Sequence, residues 1–196
     1  MDGILGVIIA GVLGYLLGSI PFGLLLTKAA GLGDIRGMGS GNIGATNVLR
    51  TGNKWLALAT LILDAGKGAL AVYMARAIAP DAVLIAAAAA FFGHLHPMWL
   101  NFRGGKGVAV FLGIALAIDP LLGIICCAVW LLVGVMFRYS SVAALAAAAI
   151  SPIYAMAVGK YMVGVLFLLL ALMIFLRHSS NIRRLLRGEE PRIGQK

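Results

Sequence analysis

Long apolar segments follow one another along almost the whole chain, separated by short polar stretches. Seven such segments can be delimited, at residues 4–30, 55–79, 82–99, 108–118, 121–137, 142–158 and 161–176. Because about 20 consecutive apolar residues cross the hydrocarbon core of a bilayer as a helix, most of these segments have the length of a transmembrane helix. They do not alternate between polar and apolar residues, which argues against a membrane β-barrel. The sequence therefore predicts an all-α, polytopic membrane protein with about seven transmembrane helices.

The composition agrees with this class and excludes an ordinary soluble domain. Of the 196 residues, 62% are hydrophobic and only 12% are charged. A soluble domain is usually about half apolar and about a quarter charged. We find neither an internal repeat nor a linker that would divide the chain, so we expect a single membrane domain over residues 1–196.

The distribution of basic residues predicts the orientation of the helices. With seven spans and the N-terminus outside, thirteen of the sixteen Lys and Arg residues lie on the inner side. Cytoplasmic loops of membrane proteins carry such an excess of basic residues. We therefore expect an N-out/C-in arrangement. It depends on the short fourth segment, 108–118, because removing that segment from the count would place the loops 100–107 and 138–141 on opposite sides.

Polar and glycine-rich sequence is concentrated in three stretches on the predicted inner side. The first covers residues 34–50 and holds four closely spaced glycines between two arginines. Glycines let backbone N–H groups approach an anion, and a helix that begins in this stretch would direct its positive end toward it. The alternative is a flexible loop with a helix cap. The candidate anion ligands are Arg36, Ser40, Gly41, Asn42, Thr46, Asn47 and Arg50.

The second stretch places Gly104-Gly105-Lys106-Gly107 directly before an apolar helix. Backbone N–H groups, the helix dipole and an ammonium group converge there, an arrangement that suits a phosphate. The alternative is a tight turn between helices with a lysine that extends to the membrane surface. His94 and His96 precede these glycines, and either they are general bases or, as is more common, they are hydrogen-bonded core residues.

The third stretch, residues 177–190, begins the C-terminal tail. His178 and Asn181 are three residues apart, which would place them on one face of a helix. Two carboxylates, Glu189 and Glu190, follow several arginines, and we expect them to form ion pairs at the surface.

Asp64 and Lys67 lie inside the second apolar segment. Charges within a membrane span are costly, so both should face the interior of the helix bundle and find partners there. Their spacing allows an ion pair with each other. A direct role of Lys67 at a substrate phosphate is the other interpretation, and the sequence leaves both open.

Several catalytic arrangements do not occur in the sequence. No histidine is followed by an aspartate five residues later, and no serine lies in a Gly-x-Ser-x-Gly elbow. The three histidines and two cysteines have no metal-ligand spacing, so we predict no metal and no other cofactor. Without an evident protein nucleophile, the cationic stretches suggest direct transfer between phosphorylated substrates.

These motifs together resemble the bacterial acyl-phosphate-dependent glycerol-3-phosphate acyltransferase family. They run in order from the first apolar segment to the tail, so the resemblance covers essentially the whole chain. The matching segments are Gly18-Ser-Ile-Pro-Phe-Gly23, residues 34–50, Asp64-x-x-Lys67-Gly68, Gly93-His94-x-x-Pro97, Gly104-Gly-Lys-Gly-Val-Ala109 and Arg177-His178-x-x-Asn181-Ile-x-Arg-Leu185.

The resemblance implies a seven-span enzyme of the bacterial inner membrane with its active site facing the cytoplasm. It would transfer a fatty acyl group from acyl phosphate to the 1-hydroxyl of glycerol 3-phosphate. The products would be 1-acylglycerol 3-phosphate (lysophosphatidate) and phosphate, an initiating step of phospholipid synthesis. The implied partners are membrane lipid and the soluble acyltransferase that forms the acyl phosphate. Nucleic acid is not among them.

In this chemistry two anionic substrates must approach each other, so cations are needed between them. We assign the phosphate of the acyl phosphate to Lys106, Gly104, Gly105 and Gly107. Glycerol 3-phosphate is assigned to Arg50, Ser40, Asn42, Thr46 and Asn47.

Three further residues complete the expected catalytic set. His178 and Asn181 come from the tail motif, and Ser141 matches a polar position of the family. The base that removes the hydroxyl proton is either His178 or the donor's own phosphate. We hypothesise the phosphate, because no His–carboxylate pair is evident in the sequence.

A multi-pass transporter of anionic metabolites is the competing class. It would explain seven spans with charges inside one of them. It predicts two related halves with broken helices and charge near the midplane of the membrane. The sequence contains no such repeat and its polar motifs gather on one side, so we favour the enzyme.

Overall fold

The computed structural model describes residues 3–39 and 41–194. Within these residues the secondary structure is helical, without a strand, as the sequence predicted. Three short 3-10 helices, Ile35–Gly37, Pro80–Ala82 and Met98–Leu100, accompany the α-helices. The α-helices are α1 (Ile4–Gly18), α2 (Phe22–Ala29), α3 (Ala45–Leu49), α4 (Lys54–Ile78), α5 (Val83–Leu95), α6 (Val108–Ile118), α7 (Pro120–Phe137), α8 (Ser140–Ala157), α9 (Tyr161–Arg177) and α10 (Ser179–Leu186).

Five helical stretches of the described chain are long and apolar enough to cross a membrane. A sixth results if α9 and α10, which are bent by 60° relative to each other, are taken together. α6 has 11 residues and a length of about 16 Å, roughly half of the ~30 Å hydrocarbon core. The five stretches are Ile4–Ala29, Lys54–Ile78, Pro80–Leu100, Pro120–Phe137 and Ser140–Ala157. The seven-span count and the N-out/C-in orientation stay predictions.

The helices group into two compact units, the first ending at Ile118 and the second beginning at Asp119. The single-domain organisation expected from the sequence stays a prediction. In the first unit α1 packs on α5, and α4 packs on α6, α1 and α5. Small residues permit these contacts: a Cβ on Gly18 would collide with the carbonyl oxygen of Ala90, and a Cβ on Gly113 with that of Ala65. Close approach of backbones at small residues is typical of helix packing in membranes.

In the second unit α7 packs on α8 and α8 on α9. Asp119 caps the first turn of α7, where its Oδ1 accepts hydrogen bonds from the backbone N–H groups of Leu121 and Leu122. Its Oδ2 lies 2.6 Å from Nζ of Lys160, the residue before α9. Burial raises the pKa of this carboxyl, but the hydrogen bonds from Lys160 and the two amides outweigh burial and hold the pKa below its usual value. This ion pair joins the beginnings of two helices.

Candidate active site

Asn47 shapes the first polar stretch. Its side chain is buried, and Nδ2 donates hydrogen bonds to the carbonyl oxygens of Ile35 (2.8 Å) and Met38 (3.2 Å), which ties the preceding turn to α3. Gly39 has a φ of 53°, and a Cβ there would collide with the guanidinium of Arg50 and the amide oxygen of Asn47. A glycine at this position therefore allows Arg50 to lie across the loop beside Asn47.

The other predicted ligands of this stretch differ in their surroundings. Both Nε and Nη2 of Arg36 donate to the carboxylate of Asp34, and the resulting hydrogen bonds lower the pKa of that carboxyl to about 2. Arg36 thus has a partner within its own turn. Ser40 lies outside the described residues. The remaining three lie on the loop surface, with Asn42 half-buried and Gly41 and Thr46 exposed.

The glycine segment of residues 104–107 is held against the end of α5. The N–H of Gly104 donates to the carbonyl oxygen of Leu95, and that of Gly105 donates to the carbonyl oxygen of His94, both at 3.0 Å. A Cβ on Gly104 would collide with the carbonyl oxygen of His94, and one on Gly105 with its imidazole ring. The structure thus corrects the expectation that these two amides bind phosphate, because they are used within the fold and the glycines serve close packing.

The second half of the same segment leads into α6. Gly107 has a φ of 85°, and a Cβ there would collide with the ring of Phe91. Lys106 is half-buried, two residues before Val108, where α6 begins. The ammonium group of Lys106 thus belongs to a short segment that α5 holds in place on one side and α6 continues on the other.

Lys67 lies in a buried polar cluster with Asp64 and His94. Its Nζ is 2.7 Å from Oδ1 of Asp64 and 3.0 Å from Nδ1 of His94, and it donates a 2.6 Å hydrogen bond to the carbonyl oxygen of Ile20. These three side chains are at most 4% exposed. Because an ammonium has three N–H groups and three partners surround it, the structure favours the ion pair over direct binding of a substrate phosphate by Lys67. His94 is a core residue here, as the sequence favoured.

In the second unit, Glu190 joins two of the predicted catalytic side chains. Its Oε1 accepts hydrogen bonds from Oγ of Ser141 (2.7 Å) and Nδ2 of Asn181 (2.6 Å). Nε of Arg184 donates to Oε2 at 2.8 Å. Burial raises the pKa of the Glu190 carboxyl, but these three hydrogen bonds and the charge of Arg184 together lower it below its usual value.

The expectation that Glu190 forms an ion pair at the surface is therefore wrong. An arginine is indeed one partner, but the carboxylate is buried and organises Ser141 and Asn181. This role of Glu190 could not be predicted from local spacing, because Ser141 is 49 residues away in the sequence. The available signal was Gly188, whose φ of 72° turns the chain back after α10.

His178 lies at the bend between α9 and α10 and is buried. Its Nδ1 is 2.8 Å from the carbonyl oxygen of Ile174. A carbonyl oxygen only accepts, so Nδ1 carries the proton and, in the neutral ring, Nε2 carries the lone pair. Asn181 follows one turn later in α10 and is also buried. The bend therefore holds both tail residues that the sequence selected.

Taken together, the apolar helices and the comparisons with known proteins define an integral membrane acyltransferase. A family model described as glycerol-3-phosphate acyltransferase matches residues 8–188. The chain belongs to this glycerol-3-phosphate acyltransferase family, and lipid biosynthesis follows from that activity. The membership and the enzyme class predicted from the sequence are confirmed.

Individual relatives support this assignment over the full chain. A glycerol-3-phosphate acyltransferase of Cereibacter sphaeroides (strain ATCC 17025 / ATH 2.4.3) is 56% identical over 196 residues, which cover 100% of this chain and 93% of that protein. One from Mesorhizobium japonicum is 55% identical over 191 residues, covering 97% of this chain and 98% of that protein.

Two crystal structures of PlsY, an integral membrane glycerol 3-phosphate acyltransferase, have the same fold. The glycerol 3-phosphate form has a TM-score of 0.90 and 35% identity, with 96% of each chain covered. The lysophosphatidic acid form has a TM-score of 0.89 and 32% identity, with 96% of this chain and 95% of that chain covered.

Proposed function

We propose that this acyltransferase uses acyl phosphate as donor and the 1-hydroxyl of glycerol 3-phosphate as acceptor. The products are 1-acylglycerol 3-phosphate and inorganic phosphate. The observation that carries the proposal is the placement of Lys106 in a glycine segment held against α5 and continued by α6. The two PlsY structures add support, since one is the glycerol 3-phosphate form and the other is the lysophosphatidic acid form. These molecules correspond to the acceptor and the product of the proposed reaction.

In this proposal Lys106 binds the phosphate of the donor. The amide of Gly107 and the first turn of α6 add N–H groups beside the ammonium, and the positive end of the helix favours a dianion. α6 consists of apolar residues, so its beginning suits a donor whose phosphate carries a fatty acyl chain. The amides of Gly104 and Gly105 are left out of this assignment, because α5 accepts their hydrogen bonds.

The loop of residues 34–50 binds glycerol 3-phosphate. Arg50 supplies the charge, and the neutral side chains of Ser40, Asn42 and Thr46 with the flexible backbone at Gly41 supply further hydrogen bonds. Asn47 acts through the loop, since its amide nitrogen donates hydrogen bonds to two backbone carbonyl oxygens. Arg36 stabilises the preceding turn through Asp34.

The transfer itself is a direct displacement. The 1-hydroxyl oxygen attacks the acyl carbonyl carbon, the bond from that carbon to the phosphate oxygen breaks, and the hydroxyl proton passes to the departing phosphate. An acyl phosphate is already activated, so positioning and charge stabilisation supply most of the rate. Lys106 and Arg50 offset the charge of the two substrates, and His178, Asn181 and Ser141 act at the reacting hydroxyl.

The alternative base is His178. Its neutral ring has the lone pair on Nε2, as a general base requires. We retain the donor phosphate as the base, because the bond from Nδ1 of His178 goes to a backbone carbonyl and not to a carboxylate that would stabilise an imidazolium.

The proposed location is the bacterial inner membrane, with the site facing the cytoplasm, where a soluble acyltransferase would supply the acyl phosphate. The thirteen basic residues on the predicted inner side support this orientation. No metal or other cofactor enters the proposed reaction.

The test is acyl transfer by the purified full-length protein in detergent. Glycerol 3-phosphate is offered with palmitoyl phosphate, palmitoyl-CoA or palmitoyl-acyl carrier protein, and lysophosphatidate and phosphate are measured. We expect product from palmitoyl phosphate alone, abolished by Lys106→Ala and retained by Arg103→Ala, a nearby basic residue without an assigned role. Product from palmitoyl-CoA would show that the donor is wrong, and no product from any donor would favour the transporter.

A further inference from the structure

The buried polar cluster of Asp64, Lys67 and His94 touches the glycine segment that the proposed function assigns to the donor. We propose that this cluster positions residues 104–107, and with them Lys106, for the phosphate of the acyl phosphate. His94 and Lys67 are then positioning residues, which act through the glycine segment without touching substrate. The inference rests on the proposed function, because it concerns the donor assigned there.

Stability alone does not account for such a cluster. Asp64 and Lys67 lie inside α4, a helix of a membrane span, where charged side chains are costly. Well-packed apolar residues are often as stabilising as a buried ion pair, so the pair by itself is weak evidence for a gain in stability. The geometry around His94 indicates what the charges do.

Lys67 determines the orientation of the His94 ring. An ammonium only donates hydrogen bonds, so Nδ1 of His94, 3.0 Å away, accepts from it. In the neutral ring the proton then resides on Nε2. Asp64 holds the ammonium from the other side at 2.7 Å. Two residues of α4 therefore select one tautomer and one orientation for a histidine of α5.

The opposite edge of that ring faces Gly105. The three atoms nearest to a Cβ built on Gly105 are Nε2, Cε1 and Cδ2 of His94, and the closest of them would collide with it. The N–H of Gly105 also donates to the carbonyl oxygen of His94 at 3.0 Å. The position of Gly105 and the orientation of the ring thus depend on each other.

Lys106 follows Gly105 directly, so a displaced ring displaces the lysine as well. A misplacement of about 1 Å of a group that positions substrate can lower the rate by about 100-fold. The chain of contacts runs from Asp64 through Lys67 and His94 to Gly105, and ends one residue from the ammonium that the donor needs.

The experiment measures kcat and KM for palmitoyl phosphate and for glycerol 3-phosphate in a set of variants of the full-length protein. His94→Asn keeps an acceptor near Lys67 but lacks the edge that faces Gly105. The double variant Asp64→Asn/Lys67→Met removes both charges together, so that neither is left unpaired. His96→Asn is the control, because His96 lies two residues after His94 and its ring contacts Phe92, with 4.7 Å between the ring centroids.

We expect both variants of the cluster to lower kcat/KM for palmitoyl phosphate by about 10- to 100-fold. The KM for glycerol 3-phosphate should stay unchanged, and His96→Asn should behave as wild type. Thermal unfolding and gel filtration show that each variant is folded. A purely structural role would lower the melting temperature without separating the two substrates.

If one of these variants folds poorly, a double-mutant cycle between Gly105 and His94 still tests the proposal. Gly105→Ala should lower kcat/KM for palmitoyl phosphate in the wild-type background, and it should add little in the His94→Ala background, where the ring is absent. Additive effects would overturn the coupling, as would folded cluster variants with wild-type kinetics. A wild type without activity toward palmitoyl phosphate would overturn the proposed donor and this inference together, whereas an active wild type with unaffected variants would overturn the inference alone.

Discussion

Nδ2 of Asn181 donates a 2.6 Å hydrogen bond to Oε1 of Glu190, and both side chains are buried. The same oxygen accepts from Oγ of Ser141, so one carboxylate orients two of the predicted catalytic residues. Charge-assisted hydrogen bonds of this kind are about twice as strong as neutral ones. The carboxylate therefore links the tail to the orientation of two side chains that are predicted to be catalytic.

Glu190→Gln is predicted to destabilise the protein and to lower turnover. The substitution removes the charge that pairs with Arg184 and turns one acceptor oxygen into a donor that faces existing donors. Leaving buried polar groups unsatisfied costs about 1–3 kcal/mol. The melting temperature and kcat of Glu190→Gln are compared with those of Glu189→Gln, whose carboxylate is exposed. Equal behaviour of the two variants would contradict this role.

Stability should fall in acid as Glu190 is protonated. Its pKa is lowered in the folded protein, so its contribution is fully present above the ordinary glutamate pKa of 4.5 and is lost as the pH falls through the lowered pKa of the folded state. Melting temperatures are measured between about pH 3 and 7 for wild type and Glu190→Gln. The wild-type advantage should shrink toward the acid end, and a constant difference at every pH would refute the linkage.

Arg50→Ala and Lys106→Ala should affect different substrates. A hydrogen bond to a charged group contributes about 1.5–3 kcal/mol, which corresponds to about 10- to 100-fold in kcat/KM. We expect Arg50→Ala to raise the KM for glycerol 3-phosphate and Lys106→Ala to raise the KM for acyl phosphate. Initial-rate kinetics with each substrate varied in turn separates them, and the reverse pattern would exchange the two assignments.

Gly39→Ala should weaken the binding of glycerol 3-phosphate. A Cβ at this position collides with the Arg50 guanidinium and the Asn47 amide, and the φ of 53° is strained for any residue with a side chain. Gly37→Ala is the matched control in the same loop, because a Cβ there meets nothing within 4 Å. The KM for glycerol 3-phosphate should rise in the first variant only.

His178→Gln tests which group is the base. If the donor phosphate takes the proton, the variant keeps measurable turnover, and the pH dependence of kcat keeps the shape of the wild type. Near-complete loss of turnover with substrate binding intact, together with loss of a histidine-like limb of the pH profile, would assign the base to His178.

The helical segments were predictable because lipid allows few alternatives. A backbone in hydrocarbon must satisfy its own hydrogen bonds, so each long apolar segment becomes a helix. The segments at 121–137 and 161–176 agree with α7 and α9 to within a residue at each end. By contrast, α6 has only 11 residues, and hydropathy does not report how such a short helix is tilted or buried.

Two glycines before Lys106 have a structural role that their sequence pattern does not predict. Gly104 and Gly105 precede a lysine and a helix, which is also the pattern of a phosphate-binding loop. In the structure their amides bond to Leu95 and His94, and the missing Cβ atoms make room for α5. Both roles require a residue without a side chain, so the sequence alone does not distinguish them.

The sequence by itself determined the membrane class, the helical fold and, through its ordered motifs, the acyltransferase family. These depend on hydropathy and on local spacing, and both follow directly from the order of the residues. Tertiary structure decided the partners of the buried polar groups: Lys67 with His94, 27 residues away, and Ser141 with Glu190, 49 residues away. Contacts over such separations arise from helix packing, and the strong need of a buried charge for partners selects among the arrangements that packing allows.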